Sequence, residues 1–136
     1  MSGALACQAI ADLLREALQS GDTRPLAAAH AEDALLDLSV QGERSLLRGA
    51  DAIAARLERL WPGRGRLVEW VLAPARNGCA VWSERVAEDG SATRQRQYVQ
   101  LRGGAIGRHW CSGRRRARRR LSSPEPKLQR CSSGSA

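Results

Sequence analysis

The sequence predicts one α+β domain, with helices ahead of an antiparallel sheet and a basic tail beyond it. Three observations carry this. In the first half, apolar residues recur every three or four positions up to Trp61, the period of a helix buried along one side. After Pro62-Gly63 the period falls to two, that of a half-buried strand. The pairs Asn77-Gly78, Asp89-Gly90 and Gly103-Gly104 divide that second half, and Gly and Asn tolerate the positive φ that hairpin turns require.

The first helix is marked by Ala6, Ile10, Leu13, Leu14, Ala17 and Leu18, with Gly21 just past its end, a favoured stop. Thr23-Arg24-Pro25 restarts a short helix through Ala29, Pro being tolerated in a first turn. Ala34 to Val40 reads as a strand interrupted by Asp37. Ala50, Ile53, Ala54, Leu57 and Trp61 form the buried stripe of a third helix over 50–60, with Asp51 at its positive end. Strands then fit at 66–73, 79–88, 92–102 and 105–111. The expected domain covers residues 5–111, and residues 112–136 are expected to be a disordered Arg-rich tail, since Leu121 and Leu128 are its only large aliphatics.

Charge divides along the chain in the same way. The formal net charge is +8, but residues 1–112 hold 14 Arg against 13 Asp and Glu. The excess belongs to Arg114, Arg115, Arg116, Arg118, Arg119 and Arg120 and the residues after them. Such a run binds nucleic acid or another polyanion through counterion release, so any nucleic-acid partner is expected at the tail alone; an unselected GC-rich extension and a targeting or regulatory role remain open. No apolar run is long enough to cross a bilayer, and the charged start predicts no leader. Cys7, Cys79, Cys111 and Cys131 lack C-x-x-C spacing, so reduced thiols, no metal site and a cytoplasmic location are expected.

Turn geometry predicts which side chains share a sheet face. Turns centred on the three pairs oppose Trp70 to Arg85, Arg85 to Gln95, Glu84 to Arg96, Trp82 to Tyr98 and Val99 to Arg108. One face then carries Val68, Trp70, Leu72, Val81, Val99, Leu101, Ile106 and Trp110, with Ser83, Arg85, Gln95, Gln97 and Arg108 as a polar group within it. The other carries Val71, Trp82, Glu84, Arg96, Tyr98 and His109. The first has more apolar residues and is expected beneath the helices. A buried Arg85 needs a ligand, a carboxylate such as Glu16 or Asp37, or an outlet to solvent.

His30-Ala31-Glu32-Asp33-Ala34-Leu35-Leu36-Asp37 followed by Leu47-Arg48-Gly49-Ala50-Asp51-Ala52-Ile53 resembles the opening of SnoaL-like and ketosteroid-isomerase-like proteins of the nuclear transport factor two-like superfamily. Val81-Trp82-Ser83-Glu84-Arg85-Val86 and Gly104-Ala105-Ile106-Gly107-Arg108 resemble two strands of its limonene-epoxide-hydrolase branch. The resemblance implies a cone-shaped, cystatin-like roll in which a curved antiparallel sheet wraps the N-terminal helices around a ligand pocket. It also implies a homodimer through the outer sheet face, here Trp82, Tyr98, Glu84 and Arg96. Catalytic groups transfer poorly. Arg85 matches the arginine of the epoxide hydrolases, but Ala87 and Cys111 stand where the two acids would be. The isomerase base falls at Leu38, one place from Asp37.

The expected function is therefore small-molecule binding, with hydrolase- or isomerase-like chemistry in doubt and no cofactor. The expected pocket residues are Arg85, Trp70, Ser83, Gln95, Gln97, Arg108, Trp110 and Asp37, around an apolar or mixed ligand. The alternative is a noncatalytic dimer whose tail binds nucleic acid.

Overall fold

The computed structural model describes residues 3–116. Helix α1 (Gly3–Ser20) and the short α2 (Arg24–Ala28) precede β1 (His30–Val40) and β2 (Glu43–Arg48). Helix α3 (Ala50–Leu60) then leads into β3 (Gly65–Ala75), β4 (Gly78–Ala87), β5 (Ala92–Arg102) and β6 (Ala105–Arg116). The six strands form one curved sheet in the order β2-β1-β6-β5-β4-β3. It is mixed rather than purely antiparallel, because β1 lies parallel to β6. The chain begins and ends the sheet at adjacent positions, with α3 and the meander between.

Helices α1 and α3 lie on one face of the sheet. Leu14, Leu18, Leu26, Ile53, Leu57 and Trp61 meet Leu36, Leu38, Val81, Val99 and Ile106 there, all essentially excluded from solvent. Burial of this apolar surface is the main favourable contribution to folding. Among the described residues no helix lies over the opposite face. Strand β2 is not expected from the sequence. Five of its six residues are exposed, so this edge strand lacks the alternation that marks a half-buried one. It is joined to β1 through Gln41 and Gly42 at φ 54° and 82°.

Three hairpin registers differ from expectation. Between β3 and β4, Ala75 opposes Gly78, so Arg76-Asn77 is the loop and Trp70 opposes Ser83, not Arg85. Between β4 and β5, Val86 opposes Ala92, which sets Glu84 against Arg94 and Trp82 against Arg96. Both shifts are by two residues, which by themselves leave side-chain facing unchanged. Between β5 and β6, Leu101 opposes Ile106 as expected, but Gly107 then forms a bulge and Val99 opposes His109. A one-residue bulge inverts the facing of everything beyond it. His109 therefore turns under the helices, and Arg108 and Trp110 turn to the helix-free face. A second bulge, at Val68, leaves that side chain half-exposed on β3 rather than in the core.

Strand β6 also runs five residues past the expected domain end. Arg114, Arg115 and Arg116 pair with Arg94, Thr93 and Ala92, so these three arginines of the expected tail belong to the sheet. Arg118, Arg119 and Arg120 lie outside the described residues.

Candidate functional site

The expected pocket residues divide into three places. Ser83 on β4 and Gln95 and Gln97 on β5 share the helix-covered face and are almost fully buried. Arg85 shares that face but serves another purpose. Asp37, Arg108 and Trp110 lie on the helix-free face, because of strand alternation in β1 and the Gly107 bulge in β6.

Among the described residues Arg85 makes no ion pair with a carboxylate. Its Nε donates to Leu18 O at 2.6 Å, and its Nη2 donates to Pro62 O and Gly63 O. Leu18 lies in the last turn of α1, and Pro62 and Gly63 follow α3, where helical carbonyls lack intrahelical partners. One guanidinium on β4 thus satisfies the ends of two helices and fastens both to the sheet. Two glycines make room for it. A Cβ on Gly65 would stand 2.2 Å from Arg85 Nε, and one on Gly21 would stand 2.3 Å from Gly63 O. Burial depresses the Arg85 pKa, with Arg115 nearby adding to the effect. Trp70 is covered by Arg15, whose guanidinium carbon lies 5.1 Å from the ring centre, and not by Arg85.

Asp37 accepts a two-point ion pair from Arg44 at 3.0 and 2.7 Å, which holds its carboxyl below the ordinary range. Leu38, one residue on, is the buried one. Tyr98 stacks on Trp110 at 4.9 Å instead of lying beside Trp82, and Arg108 lies over the Trp110 ring at 4.6 Å.

At the middle of the helix-covered face is a buried polar network that includes two residues the sequence did not bring together. His30 Nδ1 lies 2.9 Å from Leu26 O, His30 Nε2 lies 3.1 Å from His109 Nδ1, and His109 Nε2 lies 2.7 Å from Gln97 Oε1. Beside it, Trp61 Nε1 donates to Gln95 Oε1 at 2.8 Å, and the Cys111 thiol donates weakly to the same oxygen at 3.8 Å. Ser83 Oγ and the side-chain nitrogens of Gln95 and Gln97 are buried without a partner among the described residues.

The proton positions follow from chemistry. A carbonyl only accepts, so His30 Nδ1 carries a hydrogen toward Leu26 O. In the neutral ring His30 Nε2 then accepts, His109 Nδ1 donates and His109 Nε2 accepts. The Gln97 atom facing His109 must therefore be its NH2. Amide O and N have nearly the same shape, and turning the Gln97 amide over satisfies the chain while making Oε1 the unpaired atom. Gln95 has no such freedom, since the indole can only donate to an oxygen. The patch then offers a donor from Gln95 Nε2, an acceptor from Gln97 Oε1 and the adaptable hydroxyl of Ser83.

Neither histidine is charged there. Burial lowers the His30 pKa and, with His30 beside it, brings His109 down to about 3. A histidine with a depressed folded-state pKa binds fewer protons folded than unfolded. The stability it contributes is complete above the unfolded value near 6.5 and is lost as pH falls from there toward the folded value. Urea unfolding should therefore show stability falling by about 1.4 kcal/mol per pH unit below pH 6.5 on account of His109, with His30 adding to the loss. The depressed carboxylates Asp37 and Glu84 act lower, below their ordinary values of 3.8 and 4.5. Unchanged stability between pH 7 and 5 would contradict the neutral pair.

No family model matches the chain, and no curated protein matches it in sequence. Solved structures do match in shape. An NTF2-like protein from Anabaena variabilis superposes with a TM-score of 0.68 at 9% identity, covering 82% of this chain and 88% of its own. An NTF2-like protein of unknown function from Mesorhizobium loti gives 0.62 at 17% identity, over 79% and 92%. A SnoaL-like family protein from Agrobacterium tumefaciens gives 0.59 at 21%, over 80% and 97%. The chain has the nuclear transport factor two-like fold. Fold by itself assigns no activity.

Proposed function

We propose that this chain binds a small neutral molecule on the helix-covered face, at Ser83, Gln95 and Gln97, with the His30–His109 pair fixing the orientation of Gln97. The observation that carries this is the set of three buried polar groups without partners in one patch. An unmet buried polar group costs about 1–3 kcal/mol, and three together in a core whose other polar groups are satisfied suit a ligand. Donor, acceptor and hydroxyl match a neutral group presenting both an acceptor and a donor, such as an amide or a hydroxy-ketone. Trp61 roofs the patch and must yield as the ligand enters. Arg85 is occupied by three carbonyls, so no cation is free there for a carboxylate.

The patch suits binding better than proton transfer. Burial pushes the Cys111 thiol up to about 12 and the His109 ring down to about 3, so neither is poised near neutral pH. This supports the noncatalytic reading of Ala87 and Cys111, the positions where the resembling epoxide hydrolases carry acids.

Ser83→Ala separates a ligand role from a packing role. Removing a buried, unpaired hydroxyl should stabilise the free protein by about 1 kcal/mol or more, while weakening any ligand held by that hydroxyl. A destabilised Ser83→Ala protein would show that the hydroxyl is already satisfied within the fold. The homodimer through Trp82, Tyr98, Glu84 and Arg96 stays a competing proposal for the helix-free face, supported by the exposure of Trp82 and Val71 there.

A further inference from the structure

The helix-free face carries a basic feature of its own, although Ser83 and Gln95 of the small-molecule patch also border it. Between the β1–β2 turn and the ends of β4, β5 and β6 lies an open groove of about 1100 Å3, lined among others by Ser39, Trp82, Arg94, Arg96, Arg114 and Arg115. Glu69 is its one acidic lining residue. Glu84, buried beside it, already accepts from Arg94 at 3.3 Å and Arg116 at 2.8 Å. Among the described residues Arg96, Arg114 and Arg115 make no ion pair.

Arg94 and Arg114 stand directly opposite each other across β5 and β6. Like charges in that position destabilise a sheet; Glu84 offsets Arg94 from the other side, which leaves Arg114 as the uncompensated charge. Trp82, with 42% of its surface exposed, is the cross-strand partner of Arg96. An exposed indole next to a guanidinium is a platform on which a flat aromatic base can stack while its phosphate is neutralised.

We infer that this groove is a binding site for single-stranded nucleic acid, with Trp82 stacking a base and Arg96 and Arg114 neutralising phosphates. A duplex hides its base faces from such a platform, and an acidic peptide has no use for it. A homodimer through the same face would cover the groove, so the two uses exclude each other.

Fluorescence anisotropy of the full chain with a labelled oligothymidylate of roughly twelve nucleotides tests this, read at several salt concentrations. Arg96→Ser combined with Arg114→Ser should weaken binding at least ~10-fold and make the salt slope shallower by roughly 1.4, the single-strand value for two phosphates. Trp82→Ala should abolish the quenching of tryptophan emission and weaken the oligonucleotide, yet leave heparin binding unchanged; Trp82→Tyr should restore most of the loss. Melting curves verify that each variant is folded. Absence of oligonucleotide binding, or full binding by the folded Arg96/Arg114 variant, overturns the proposal. So do equal affinity for a duplex of the same length, indifference to Trp82→Ala, or a stable dimer that retains the oligonucleotide. If Arg118, Arg119 and Arg120 substituted together remove all binding, the tail alone is responsible and the groove is not a site.

Discussion

Arg85→Leu should lower the folding free energy by at least about 3 kcal/mol, one of the two largest single effects expected in this protein. The substitution strands the buried Leu18 O in the last turn of α1 and the part-buried Pro62 O and Gly63 O just past α3, and a buried acceptor left unmet costs roughly 1–3 kcal/mol. Arg85→Lys should recover only part of this, since one ammonium cannot span carbonyls from two helix ends as a planar fork does. Urea denaturation of both variants reads the difference directly. A protein that keeps its stability with Leu at this position would show that α1 and α3 are held without the clasp.

Ending the chain after Ser112 should be as damaging, lowering the melting temperature by about 10 °C or more. It removes the last part of β6, and with it the contact of Gln41 N with Gly113 O at 3.2 Å, that of Arg115 N with Gln41 Oε1 at 2.8 Å, and the Arg116–Glu84 ion pair. It also uncovers the edge of β5 at Ala92–Gln95, and a bare strand edge invites aggregation. Ending the chain after Arg116 keeps all of these, so its melting temperature should stay within about 2 °C of the full chain. Equal melting temperatures for the two truncations would show that the Arg114–Arg116 pairing contributes nothing.

The truncation pair marks the place where the sequence is hardest to read. Residues 112–116 look like the opening of a polar tail because composition gives no sign that Thr93 and Arg94 await partners across the sheet. The helices and the β3–β6 meander were legible because their period and their Gly and Asn turns agree. Errors of two residues in the first two hairpins did no harm, since strand facing repeats every second residue. The single residue at Gly107 mattered more. It moved His109 into the core and Arg108 and Trp110 out of the expected pocket. A glycine inside a strand is the available signal for such a bulge, but the hairpin turn beside it fits a regular register equally well. Ser83, Gln95 and Gln97 were legible as a polar group on an apolar face. Their link to His30 was not, because it spans 79 residues from His30 to His109 and rests on that bulge.

The binding proposal is tested most directly by ligand-induced thermal shift, using a panel of neutral amides, lactams and hydroxy-ketones on the wild-type protein, Ser83→Ala and Gln97→Leu. Gln97→Leu is included because it removes the acceptor while leaving Trp61 and Gln95 in place. The account predicts that at least one compound raises the wild-type melting temperature in a concentration-dependent way and that both folded variants lose most of that shift. If no compound in these classes shifts the wild type, or if the shift is the same in all three proteins, the buried polar patch is not the ligand site.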